Sequence, residues 1–466
     1  MVMASYEHLF NKLEDQFLLT KEQMAPIIKG FISEYQSGLK TPSTGIASMI
    51  PSYVTSLPTG NETGTFLSLD LGGTNLRVNA VQLLGDGQVN MVENKRLATV
   101  ELKSGSGDAF FDWIADTIQE LITVKAPHLF KPEQVNGQET LSLGVCWSFP
   151  IDQTTLDRGT VLRMGKGFTM PNVQGRDLSD MFHEAFKRKN LNVRVGALLN
   201  DTVGTLVAHA YSNPRSRIGF IYATGCNAAY PEKVSNIGKW DETQRSRFNP
   251  NDEMLINTEI DIFGDDTYLP RTKYDHQLDK NHSQPDFQPW EKMMSGAYLG
   301  ELTRLVAMDF IQQGALFDGV VPAGWDTPWS FQTAMMSSIE RDNTASRDES
   351  VKILESVYSF ATRPSKDDIQ AITRICRIVA TRGAIMVAVA IASMIEKQKL
   401  HIVDSNEIVI GMNGSTYEYY PYMDVRVKKA LRTWFGSEVS DRILLEIARD
   451  GGSIGGALIA MLAAAE

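Results

Sequence analysis

A chain of 466 residues is too long for one ordinary hydrophobic core, so two domains are expected. Its 43% hydrophobic and 22% charged residues are a globular composition, which excludes a disordered or fibrous protein. A formal net charge of −11 argues against a general binder of nucleic acid or anionic membrane, yet leaves room for a local basic nucleotide pocket. Cys146, Cys226 and Cys376 are scattered and odd in number, a pattern of reduced thiols and not of a disulfide framework or zinc site. The N-terminus carries early charge and no apolar run of a signal peptide. The most apolar stretch, residues 384–395, is shorter than the ~20 residues a bilayer requires. A cytoplasmic protein without membrane insertion is expected.

Residues 6–35 have helical spacing, with Leu9, Leu13, Phe17 and Leu18 as the apolar stripe. A polar loop at 58–64 leads into a strand at 65–71 that ends in a glycine pair. A second strand follows at 76–84, with Gly85-Asp-Gly87 closing a hairpin turn. Residues 109–124 read as a helix, and 141–147, 193–199 and 218–222 as strands. Helical patterns cover 291–311, 367–396 and 425–434, the short strand 408–410 ends at Gly411, and 340–349 reads as an exposed loop. An apolar helix at 455–465 follows the glycine-rich Asp450-Gly-Gly-Ser-Ile-Gly-Gly456. Strands alternating with helices indicate an α/β protein.

Several strand ends carry residues suited to chemistry. In Asp70-Leu-Gly72-Gly73-Thr74-Asn75 the glycines let backbone N–H groups approach phosphate, Thr74 and Asn75 add donors, and Asp70 is suited to orient the waters of a Mg²⁺ ion. Asn200-Asp201-Thr202 places a carboxylate where it can take a proton from a hydroxyl. Ala223-Thr224-Gly225-Cys226-Asn227 is a second loop able to cradle phosphate. Ser148, Lys166, Glu259 and Glu291 form a mixed polar set suited to the hydroxyls of a sugar. Gly411-Met-Asn-Gly414-Ser415 and the 450–456 segment suit either a nucleotide or tight helix packing. Taken singly, each has a plainer reading: the glycine pair as a hairpin turn, Asn200-Asp201-Thr202 as an Asx turn or helix cap, the scattered charges as solvated side chains. The seven histidines show no metal-ligand spacing, and no P-loop is present.

In order and wording these segments resemble the hexokinase family, fungal hexokinases and glucokinases in particular. The likeness runs through Met49-Ile-Pro-Ser-Tyr-Val, Asp70-Leu-Gly-Gly-Thr-Asn-Leu-Arg-Val78, Ser148-Phe-Pro, Lys166-Gly-Phe168, Asn200-Asp-Thr, Leu269-Pro-Arg-Thr-Lys-Tyr-Asp275, Glu291-Lys-Met-Met-Ser-Gly-Ala-Tyr-Leu-Gly-Glu301 and Gly414-Ser-Thr-Tyr417, and so covers essentially the whole chain. It implies the actin-like ATPase (ribonuclease-H-like) superfold, with two domains and an intervening cleft. The small domain would span 66–199 plus a C-terminal helix at 442–466, and the large domain 200–441 plus the N-terminal segment 1–65. It implies a hexose and ATP as substrates, Mg²⁺ as cofactor, Asp201 as catalytic base and the 6-hydroxyl as acceptor. Ser148, Lys166, Asn200, Asn227, Glu259 and Glu291 match sugar contacts. Asp70, Gly72, Gly73, Thr74, Asn75, Thr224 and Gly225 match phosphate-loop positions, and Gly414 and Ser415 the adenosine side.

The chain departs from the family at a few positions. Met164-Gly165 replaces the usual Trp-Thr, which removes a hydroxyl expected at the sugar. Ala223 replaces a glycine, which is costly if that site needs a positive φ. Ile260-Asp261 replaces an aromatic and glycine, Asp286-Phe287 a Gly-Gln, and Asn413 an aspartate. Two readings therefore stand: an active sugar kinase, and a hexokinase-like regulatory protein that binds sugar or nucleotide but turns over slowly. A structural or chaperone-type ATPase on the same superfold fits the sugar-pocket residues less well.

Overall fold

Apolar runs punctuated by glycine and polar residues fold into two large sheets and one two-stranded ribbon. The computed structural model describes residues 6–42, 47–165, 167–403 and 407–465. Its strands are β1 (Ile50–Pro51), β2 (Thr63–Leu71), β3 (Asn75–Gly85), β4 (Gln88–Leu97), β5 (Leu141–Trp147), β6 (Ile151–Gln153), β7 (Gly159–Val161), β8 (Val193–Leu199), β9 (Ser216–Tyr222), β10 (Cys226–Lys233), β11 (Glu253–Asn257), β12 (Ile408–Asn413) and β13 (Ile443–Ile447). The principal helices are α1 (Glu7–Phe17), α2 (Lys21–Lys40), α3 (Gly107–Glu120), α4 (Leu178–Arg188), α5 (Asp201–Ser212), α6 (Lys273–Asn281), α7 (Pro289–Met294), α8 (Leu299–Gln312), α9 (Lys366–Lys397), α10 (Met423–Phe435) and α11 (Gly456–Ala465).

The five-stranded sheet has the order β4-β3-β2-β5-β8, with β2, β5 and β8 parallel and the β2–β3–β4 meander antiparallel. Every residue of β5 is buried, which explains its unbroken apolar run. The β3–β4 turn puts Asp86 (φ 50°) and Gly87 (φ 67°) in the left-handed region, as a tight hairpin requires. The six-stranded sheet has the order β1-β11-β10-β9-β12-β13, with β9, β12 and β13 parallel. Helix α5 lies between the sheets, and its Val203, Leu206 and Val207 share a core with Val81 and Leu199 of one sheet and Ala229 and Leu255 of the other. This is the expected α/β architecture.

Several local expectations need correction. The N-terminal helical pattern is two helices, because Thr20 and Gln23 form a capping box that starts α2 afresh. The 291–311 pattern breaks into α7 and α8: Ser295 Oγ donates to the Thr224 carbonyl (2.8 Å) and Gly296 N–H to that of Ala223 (2.9 Å), drawing the chain out of helix. The 340–349 stretch is not simply exposed. Glu340 is fully buried and accepts from Tyr420 Oη (2.7 Å) and Arg426 Nη2 (2.5 Å). Residues 442–466 are not one helix, since β13 edges the six-stranded sheet before α11 packs on β2, β5 and β8. Finally, α9 runs to 32 residues and is long and apolar enough to cross a bilayer, yet 94% of its most apolar window is buried inside the protein.

The glycines of 450–456 serve packing. A Cβ on Gly455 would lie 2.3 Å from the Gly204 carbonyl oxygen of α5, and one on Gly144 of β5 would lie 2.0 Å from that of Gly456. Gly455→Ala is therefore expected to destabilise the protein by about 1–3 kcal/mol through overpacking, read as a lower urea midpoint with an unchanged slope.

Candidate active site

Parallel strands deliver the predicted residues to common edges. Leu71 registers with Trp147, and Cys146 with Leu199. Gly72-Gly73, Ser148 and Asn200-Asp201 therefore follow the C-terminal ends of three adjacent strands, the edge at which α/β sheets bind ligands. Asn200 is the N-cap of α5, its Oδ1 accepting the Thr202 N–H at 2.8 Å. Asp201 is the first helical residue, where the helix dipole favours a carboxylate.

The β2–β3 loop is a hairpin turn, with the Gly72 N–H donating to the Asn75 carbonyl (3.0 Å) and the Ala98 N–H to that of Thr74 (3.0 Å). The Gly72 amide is thus spent inside the turn, while Thr74 is exposed. Asp70 pairs in register with Arg77, and its Cγ lies 3.0 Å from where a Cβ on Gly452 would stand. The glycine keeps the space beside this carboxylate open.

In the second sheet Asn413 registers with Ile221, so Thr224-Gly225 and Gly414-Ser415 follow the ends of the neighbouring strands β9 and β12. Thr416 Oγ1 joins the two loops by donating to the Ala223 carbonyl at 2.8 Å. The strain expected at Ala223 is absent, because its φ is not positive. The positive φ falls on Gly414 (117°), where a Cβ would stand 2.4 Å from the Tyr222 carbonyl oxygen and 3.0 Å from the Ala223 methyl. Ala223→Gly consequently has no strain to relieve. Asn413 donates through Nδ2 to the Ala448 carbonyl (2.7 Å), a bond that an ionised aspartate has no hydrogen to make.

The polar pocket lies where β10, β11 and α7 meet. Asn227 Nδ2 donates to Asn257 Oδ1 (2.9 Å) and Glu259 Oε1 (3.0 Å), and Asn257 Nδ2 donates to the same Glu259 oxygen (2.7 Å). Glu291, in the first turn of α7, accepts the Cys226 N–H at 2.9 Å through Oε2. A Cβ on Gly225 would stand 2.8 Å from that oxygen, so Gly225 is small because a carboxylate passes over it. Burial pushes Glu291 up to about 7, with the Cys226 N–H pulling the other way. Glu259 is also raised, first by burial, then by Asp261 and, after opposing amide bonds, by Asp201. Asp201 therefore acts electrostatically on the same pocket as Glu259, although its strand end belongs to the other sheet.

Asn227, Glu259 and Glu291 come together, and the charge of Asp201 reaches Glu259; Ser148 and Asn200 follow the neighbouring strand ends. Lys166 lies outside the described residues, next to an exposed Gly165 whose carbonyl accepts the Phe168 N–H (2.9 Å). Asn257 is a pocket residue that the sequence reading missed. The available signal was its place two residues before Glu259 at a strand end. Among the described residues no group of three or more His, Cys, Asp or Glu side chains is arranged to hold a metal.

The fold is that of a sugar kinase: the structure superposes on that of a hexokinase from Schistosoma mansoni complexed with glucose, with a TM-score of 0.77 at 30% identity, covering 97% of this chain and 99% of that one. Sequence comparison finds hexokinase-1 of Schizosaccharomyces pombe, 35% identical over 98% of this chain and 91% of the relative. Glucokinase of Aspergillus niger is 34% identical over 94% and 93%. Two family models, both described as hexokinase, match residues 9–211 and 217–462. The chain belongs to the hexokinase family, and so to the phosphotransferases that use a sugar hydroxyl as acceptor.

Proposed function

We propose that this protein transfers the γ-phosphoryl group of ATP to the 6-hydroxyl of a hexose, glucose being the first to test, with Asp201 as general base. The observation that carries this reading is the convergence of Asn227, Asn257, Glu259 and Glu291 on one buried pocket within electrostatic reach of Asp201. Carboxylates and amides in such a pocket accept from and donate to the hydroxyls of a sugar, fixing its orientation. Asp201 takes the proton of the attacking hydroxyl as the O–P bond forms. The strand-end loops at 72–75, 224–225 and 414–415 hold the nucleotide, with the exposed Thr74 side chain as a donor to its phosphates.

Bound Mg²⁺ neutralises charge on the transferring phosphate. Asp70, whose carboxyl a Cβ on Gly452 would crowd, would be the carboxylate at hand to help hold that ion. The two sheets correspond to two domains that close on the sugar and exclude water, which limits wasteful ATP hydrolysis.

The test is ADP release measured with a panel of hexoses and without acceptor. Sugar-dependent release supports the reading. Calorimetric sugar binding without turnover selects the regulatory alternative, which the departures at Gly165 and Asp261 favour. Gly165 has open space, since nothing lies within 4 Å of where its Cβ would be. Gly165→Thr supplies a hydroxyl and is expected to tighten sugar binding by about 0.5–1.5 kcal/mol, or several-fold in kcat/KM, with the KM for ATP unchanged.

A further inference from the structure

The pocket contains one more carboxylate than the sugar reading uses. Asp261 lies in the short 3-10 turn Ile260–Ile262, directly after Glu259, and this turn packs against β10 and α7. Its Oδ2 accepts the Nε2–H of Gln288, while its Oδ1 is buried without a hydrogen-bond partner. Gln288 is the N-cap of α7 and has a left-handed φ of 55°. Glu259 is the N-cap of its own turn and has a left-handed φ of 47°. The Asp261–Gln288 bond thus ties together the two backbone turns that aim Glu259 and Glu291.

Nearly everything titratable that faces Asp261 is an acid. Glu259 comes from its own turn, Glu291 from α7, Cys226 from β10 and Tyr298 from the segment before α8, and the charge of Asp201 reaches Glu259 from α5. The cation on α7, Lys292, is already held by Asp279 (2.5 Å) and the Gln284 carbonyl (2.6 Å). Carboxylates so close together and so poorly hydrated do not all ionise near neutral pH. The donor inventory decides which one keeps its proton. Glu259 Oε1 receives two amide donors and Glu291 Oε2 a backbone N–H, whereas Asp261, although the Gln288 amide and the N–H groups of its own turn ease its charge, keeps Oδ1 buried without a hydrogen-bond partner. A buried carboxylate oxygen without a hydrogen-bond partner is the easiest to protonate, and the proton turns it into a donor.

We propose that Asp261 is a positioning residue of the sugar pocket that works as the neutral acid, its proton on Oδ1, and that it holds the Glu259 turn against the Glu291 helix so that both glutamates meet the sugar as acceptors. The inference rests on the sugar reading of those two glutamates. Burial, and after it the charge of Glu291, moves the Asp261 carboxyl upward in the same sense. Asp261 is thus neutral on the acid side of its transition. As pH rises through that transition a further negative charge enters the pocket, and sugar affinity falls.

Calorimetry of glucose binding between about pH 6 and pH 8.5, on wild type, Asp261→Asn and Asp261→Ala, tests this, together with the infrared C=O stretch of protonated carboxyl groups in the ligand-free proteins. Wild-type Kd is expected to rise about tenfold across the range. Asp261→Asn stays neutral and keeps the bond from Gln288, so its profile flattens; Asp261→Ala loses the tether and binds more weakly throughout. At neutral pH the acid C=O band of wild type should be missing from Asp261→Asn. An equal pH slope in wild type and Asp261→Asn, a flat wild-type profile with glucose bound, or an unchanged acid band would overturn the proposal. No glucose binding at any pH, with the band still lost in Asp261→Asn, would overturn the sugar reading and the positioning role with it while leaving the proton on Asp261.

Discussion

Asp201→Asn is expected to slow phosphoryl transfer to glucose by about 10²–10⁴-fold, the usual worth of a positioned general base. The substitution preserves shape and hydrogen-bonding capacity but removes the group that takes up a proton. Position 201 should tolerate it structurally. The cap of α5 is made by Asn200, the Asp201 carbonyl accepts from Thr205 Oγ1 at 2.8 Å, and Gly204 and Thr205 lie against the glycines of 451–455. Glucose affinity, measured by calorimetry without ATP, should therefore change little, so that the loss falls on kcat. Near-wild-type turnover would remove Asp201 as the base. An equal loss of glucose affinity would make it a binding residue instead.

The largest effect on stability is expected at Arg382, in the middle of α9. Its guanidinium is fully buried and donates through both Nη atoms to Asp275 of α6 (2.8 and 2.7 Å) and through Nη2 to the Met293 carbonyl of α7 (3.2 Å). It also stacks over the Phe17 ring of α1 with its centre 4.0 Å from the centroid. Arg382→Met keeps much of the volume but leaves Asp275 buried without its counter-ion, which costs about 3–5 kcal/mol. A fall in the urea midpoint of that order is the expected result, and a loss below about 1 kcal/mol would show that α6 and α9 relax apart freely. Burial pushes the Asp275 carboxyl up, but the Arg382 charge and the Thr272 donors outweigh it and hold it below the ordinary range. Its contribution is therefore complete above the ordinary aspartate range and is lost as pH falls through the folded value. The variant should show a shallower loss of stability on acidification than wild type. Because α7 carries both Met293 and Glu291, sugar affinity should weaken too.

The strand-end loops were legible from sequence because their signal is local. An apolar run that stops at Gly72-Gly73, Asn200-Asp201, Thr224-Gly225 or Gly414-Ser415 marks a buried strand and the loop leaving it, and parallel sheets place such loops on a common edge. The order of these motifs carried the family likeness, which the family models and relatives bear out over nearly the whole chain. Other features depend on residues far apart in sequence. Asn227 meets Glu259 across 32 positions, and Asn79 Nδ2 reaches Ser453 Oγ across 374 (2.8 Å). No local pattern announces either pair, so the role of Asn257 stayed hidden. The same holds for Glu340, whose charge looks like loop sequence until Tyr420 and Arg426 close over it.

Position 223 shows where local reasoning stops. Whether an alanine is strained there depends on φ, and the neighbouring strand decides φ by taking the left-handed turn itself at Gly414. The amino-acid sequence by itself determined the α/β class, the strand ends and the residues placed on them, because strand periodicity and turn chemistry act over a few neighbouring residues. Only the tertiary structure decided that the glycines of 450–456 pack against α5 and β5, that α7 breaks at Ser295 to meet the Thr224 loop, and that Asp261 keeps a buried oxygen without a donor. Close packing and burial are properties of surfaces brought together by folding, and in this protein those surfaces come from segments well separated in the chain.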